Sequence, residues 1–165
     1  MYGLPFIILA WGGMWLFRPL STFLHEMGHA FFAIGFTSGE VVVRVGKGRG
    51  RKFQIGSRLL VELSFGNGWQ GHTRFSHDEI SWLSRLLILL GGPVATFMVT
   101  SLTGLILFTQ VLSVWLEVPL ISWFCCNALA FFRAIIPMRL KPTDLFPEGP
   151  PSDGLQIVNL VLRKK

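Results

Sequence analysis

Residues 86–116 contain no Asp, Glu, Lys, Arg or His, and neither do residues 118–132. No other feature restricts the fold of this chain as much. An uncharged apolar run of about 18 residues or more satisfies its backbone in lipid only as a helix. In water, runs of this length leave too little polar surface to cover them. Residues 1–36 are similar, their only such side chains being Arg18, His25, Glu26 and His29. These runs predict a small polytopic membrane protein, mainly α, whose helical core has three or four transmembrane segments. A length of 165 residues fits one domain, so 1–165 is read as a single membrane-embedded unit.

The N-terminal Met1-Tyr2-Gly3-Leu4-Pro5 lacks the positive region of a cleavable signal peptide. As one straight helix, residues 3–36 would be about 50 Å long against a hydrocarbon core of about 30 Å. The segment must therefore tilt and kink at Pro19 or fold there as a tight hairpin. Residues 37–79 change character. β-prone stretches at 40–45, 53–55, 59–65 and 69–75, separated by glycine-rich turns such as Gly66-Asn67-Gly68, predict a small antiparallel sheet at the membrane surface. Ser76 and Glu79 match a capping box. The helix they open is expected to enter the membrane near Arg85, pass Gly91-Gly92-Pro93 and run to about Val111. A further span is expected from Pro119 to Pro137, then a proline-rich loop over 138–152. Asp153-Gly154 then opens a short amphipathic helix at 155–162.

The net charge is +6. Its basic residues concentrate at Arg44, Lys47, Arg49, Arg51, Lys52 and Arg58, and again at Arg139, Lys141 and Arg163-Lys164-Lys165. In a membrane protein this marks cytoplasmic loops, not a nucleic-acid partner. Two basic clusters on one side require an even number of crossings between them, and the sequence supplies two. Cys125 and Cys126 are neighbours in an apolar stretch, without the spacing of a zinc knuckle or redox pair.

Residues 25–29 read His-Glu-Met-Gly-His. Positions i and i+4 share one helix face, so both imidazoles can reach one zinc ion, with Glu26 placed to act on water as the catalytic base. Three ionisable groups in five residues of an apolar helix are costly unless they serve a function. A catalytic zinc site needs a third protein ligand. Glu117 lies at the opposite membrane end from the basic loops, and His72 and His77 belong to the surface segment. Asp144, Glu148 and Asp153 lie on the cytoplasmic side. Asp153, followed by glycine and an apolar helix, leads these candidates, with Asp144 in reserve. A glutamate-ligated site would use Glu148.

In this combination the chain resembles the site-2 protease family of intramembrane zinc metalloproteases, in a small form without a PDZ domain. His25-Glu26-Met27-Gly28-His29 matches the family's HExxH helix, and the β-rich segment that follows is similar to its membrane-associated strands. Gly92-Pro93-Val94-Ala95 looks like its Gly-Pro-x-Ala-Asn motif. Ser152-Asp153-Gly154 resembles its Asp-Gly motif, whose aspartate is the third zinc ligand. The resemblance implies a zinc-dependent intramembrane endopeptidase with one Zn2+ per chain, held by His25, His29 and Asp153, and Glu26 as general base. Its substrate would be a transmembrane or membrane-proximal protein segment. Two positions depart from the family. Thr96 stands where the family has Asn, and Ala134 occupies the position of an Asn before Pro137, with Asn127 two turns earlier as a candidate replacement. These departures sustain a second expectation, a zinc-binding but non-proteolytic member with a binding or regulatory role.

Overall fold

A computed structural model describes residues 3–64, 70–76, 80–142 and 147–163. Along the chain these form α1 (Gly3–Phe36), β1 (Val41–Val45), β2 (Arg51–Ile55), β3 (Leu59–Leu63), β4 (Gly71–Arg74), α2 (Trp82–Thr109), α3 (Val114–Ile135) and α4 (Asp153–Leu162). Helices α1, α2 and α3 are each long and apolar enough to cross a membrane, and each packs on the other two. Their outward faces expose Ile8, Phe97, Met98, Leu105 and Phe108. An apolar exterior of that extent marks a surface that meets something other than water.

Helix α1 runs unbroken through Pro19, so the hairpin alternative is excluded. Its length serves two partners. The N-terminal part lies along α3, where Ser21 Oγ is 3.1 Å from Asn127 Oδ1 and Ser122 Oγ is 3.2 Å from the Ala10 carbonyl. Further on, Gly28 meets Gly91 of α2 so closely that a Cβ on either would strike the other's carbonyl. The last turns continue past this crossing into the sheet. Ala30 and Ala33 pack with Val41, Val43, Val45, Leu59, Val61 and Ile88 in the main buried cluster.

The sheet is mixed, not antiparallel as its short strands predict. Its order is β2-β3-β1-β4, with β1 parallel to β3 and the other pairs antiparallel. Alternation explains the arrangement. Strands β1 and β3 each carry an unbroken apolar face that joins the main buried cluster, and they form the central pair. The exposed β2, which opens with Arg51 and Lys52, and the short polar β4 take the edges. The turn Gly66-Asn67-Gly68 lies outside the described residues.

Two helix starts also differ from expectation. Helix α2 begins at Trp82, where Ser81 Oγ accepts from the Ser84 N–H at 3.1 Å. Ser76 is not its cap, and Glu79 lies outside the described residues. Helix α3 begins at Val114, five residues before Pro119, with Glu117 in its first turn. A carboxylate there is favoured by the helix dipole and does not interrupt the helix.

Arg58 ties the two halves together. Its guanidinium donates to the carbonyls of Ile34, Thr37 and Gly39 at the C-terminal end of α1, satisfying acceptors that a helix end leaves open. Arg58→Ala should lower stability by about 2–3 kcal/mol, the worth of charge-assisted bonds to these carbonyls. Arg58→Lys should recover only part of that loss, because one ammonium cannot span three carbonyls. Thermal unfolding in detergent measures both; a lysine variant as stable as the parent would refute the role.

Candidate metal centre

The helical period of α1 places His25 and His29 on one face, their Nε2 atoms 3.2 Å apart. His29 Nδ1 lies 2.7 Å from the Ile88 carbonyl of α2, so its N–H donates there. Gly92 N also lies 3.3 Å from this nitrogen. The shorter contact sets the tautomer, since a nitrogen bearing the proton cannot accept another. His29 Nε2 is therefore left with its lone pair. It points at His25 Nε2 and at Asp153 Oδ2, 3.5 Å away, and Asp153 Oδ2 is 3.0 Å from His25 Nε2. His25 Nδ1 is buried with no partner among the described residues, which hold that ring through Nε2.

Two imidazole nitrogens and one carboxylate oxygen thus converge within 4.8 Å. Such a set is repulsive unless a proton or a metal cation lies among the three atoms. Two nitrogens and one oxygen are also a donor set that zinc accepts, with one corner left open. The residues fit the ion that the sequence motif implies.

The surroundings hold this set in place. Ser152 caps α4, its Oγ accepting from the Leu155 and Met138 N–H groups while donating to the Ile136 carbonyl at 2.7 Å. One buried hydroxyl therefore joins the end of α3 to the start of α4 and aims Asp153. Gly154 lies against the Ile135 carbonyl, where a Cβ would collide. Its role is close packing of α4 on α3. Gly92 leaves the space that both histidine rings fill.

Glu26 is 8% exposed and faces β4. Thr73 Oγ1 donates to its Oε2 at 2.6 Å, and Gly71 leaves room for its Oε1. All four site residues line a cavity of about 1290 Å³ between the helices and the sheet. Its walls include the apolar Trp11, Met14, Trp15 and Leu129 and the basic Arg44, Arg74 and Arg133.

The other candidate ligands stand apart from this cluster. His72 on β4 lines the same cavity but is not among the converging ligand atoms. Glu148 is on the surface, paired with Arg139 at 3.2 Å. Glu117 is in the first turn of α3, beside the Phe6–Trp115 ring contact at the far end of α1. His77 and Asp144 lie outside the described residues. Asn127 is buried between helices, accepting from Ser21 and donating to the Trp123 carbonyl at 2.9 Å. It therefore works as interhelical glue. Thr96 donates to carbonyls in its own helix, those of Gly92 or Pro93. Sequence reasoning missed Thr73, Ile88 and the reach of Gly92. Only the glycine carried a signal, in Gly91-Gly92-Pro93. No model of a known protein family matches the chain, and no characterised protein matches its sequence.

Proposed function

We propose that this chain is a multi-pass membrane zinc endopeptidase of the site-2 protease kind, with its basic loops and C-terminus on the cytoplasmic side. The observation that carries the reading is the meeting of His25, His29 and Asp153 beside Glu26 in one cavity. In this reading His25, His29 and Asp153 would hold one Zn2+. A bound ion would supply Lewis acidity, lowering the pKa of a water to about 7 and polarising a carbonyl. Glu26 takes the proton of the attacking water and returns it to the leaving amine. Thr73 fixes the carboxylate through Oε2 and leaves Oε1 for this exchange. The apolar wall of Trp11, Met14, Trp15 and Leu129 suits a transmembrane or membrane-proximal segment, unwound where it is cut.

The experiment is zinc stoichiometry of the purified protein alongside cleavage of model transmembrane substrates. Close to one zinc per chain is expected. Asp153→Ala should lose both metal and cleavage, whereas Asp144→Ala and Glu148→Ala should keep both. Loss of metal from Asp144→Ala with retention in Asp153→Ala would overturn the ligand assignment.

One observation favours a second reading. Asn127 is engaged by Ser21 and Trp123, and neither Thr96 nor Ala134 offers an amide to the cavity. An oxyanion donor of that kind is worth roughly 3–4 kcal/mol. A chain that binds zinc yet cuts no substrate tested would be a metal-binding regulatory or adaptor protein. Zinc content together with absent cleavage identifies it.

A further inference from the structure

A second, smaller cleft lies between α2 and α4, outside the metal centre. It has a volume of about 150 Å³ and is lined by Arg85 and Leu89 from α2 and by Gln156, Asn159, Leu160 and Arg163 from α4. Two guanidiniums converge there with two amides, and no carboxylate is in the lining. Among the described residues neither arginine forms an ion pair. The Trp82 indole N–H donates to the Leu160 carbonyl at 3.3 Å, which holds the two elements at this spacing.

We infer that this cleft binds the phosphate of an anionic phospholipid. Guanidiniums are matched to phosphate oxygens, and neutral amides add donors without opposing charge. The same two helices expose Leu83, Val158, Val161 and Leu162. A polar, cationic cleft on elements with apolar outer surfaces fits a headgroup with acyl chains attached better than free phosphate. The cleft is too small for a peptide segment. Its place at the first turns of α2, a helix long enough to span, puts it at headgroup depth in the proposed topology.

The site has a consequence for the metal centre, and this step rests on the reading given above. Arg85, Leu89 and Gln156 line both the cleft and the cavity that holds His25 and His29. Asp153, Gln156, Leu160 and Arg163 follow the i, i+3, i+7, i+10 spacing of one helix face. A lipid drawn between α2 and α4 therefore steadies the helix that carries Asp153.

The test is lipid retention by the full chain, with zinc release as a second readout. Purified protein is exchanged into vesicles of phosphatidylcholine, alone or mixed with phosphatidylglycerol, then re-extracted, and its bound lipid is counted by mass spectrometry. Two basic contacts predict roughly a tenfold or greater enrichment of phosphatidylglycerol. Arg85→Gln with Arg163→Gln should abolish it, and the corresponding double lysine variant should retain most of it. Zinc transfer to a chelator should be slower in the anionic vesicles for the parent and not for the glutamine variant. Equal enrichment in parent and glutamine variant overturns the site. If the glutamine variant does not fold, competition on the parent decides: glycerol-linked lipid should outcompete inorganic phosphate, and equal displacement by inorganic phosphate overturns the lipid assignment. A protein without zinc in any vesicle refutes the metal reading, while lipid retention still decides the cleft.

Discussion

Gly92→Ala should strip the candidate zinc centre while leaving every proposed ligand in the sequence. A Cβ at this position would strike His29 Nε2 and come within 2.7 Å of His25 Nε2, the two atoms proposed to hold the ion. A ring that retreats into the cavity carries its Nε2 away from the other proposed ligands. His29 is bonded to the Ile88 carbonyl, and both rings are anchored on a helix held against α2 by the Gly28–Gly91 contact. The expected loss in zinc affinity is on the order of 100-fold, at the upper end of what supporting residues around a metal contribute. Competition with a chromophoric chelator measures it. Gly12→Ala is the control, since no atom lies within 4 Å of its added Cβ and alanine favours the helix. Unchanged zinc affinity in Gly92→Ala would mean that the histidines are not the ligands.

Glu26→Gln should do the reverse, keeping zinc and removing hydrolysis. The substitution conserves size, so the side chain still fits beside Gly71 and Thr73. The amide cannot accept the proton of the attacking water. A general base contributes about a hundred- to ten-thousandfold to rate, and cleavage should fall by that order. Zinc per chain should stay within error of the parent. Parallel loss of zinc would make Glu26 a structural support of the site. Cleavage that survives intact would place the catalytic base elsewhere.

The contrast between these residues shows what a sequence exposes. His25 and His29 are legible because their relation is local, four residues along a helix whose period is known. The apolar spans are legible for the same reason. Asp153 is 128 residues from His25, and only its glycine neighbour and apolar follow-on single it out. Thr73 and Ile88 were beyond reach, since nothing in their neighbourhoods records which helix or strand they will face. The parallel β1–β3 pairing was hidden likewise, because alternation fixes the buried face of each strand and leaves the partner unstated. Ser76 with a following acid resembles a helix cap. The hydroxyl that does the capping is Ser81, five residues on.

The placement of Asp153 has a consequence for biosynthesis. His25 and His29 leave the ribosome early, and their proposed partner follows 128 residues later. At ordinary translation speeds that delay is roughly 6 to 26 s. During it the nascent chain offers two imidazoles without the carboxylate that completes the set, and without the Ser152 clamp that aims it. In the proposed reading, hydrolytic competence is withheld until the last helix has docked, so a membrane insertion machinery crowded with unfolded segments is spared a premature protease.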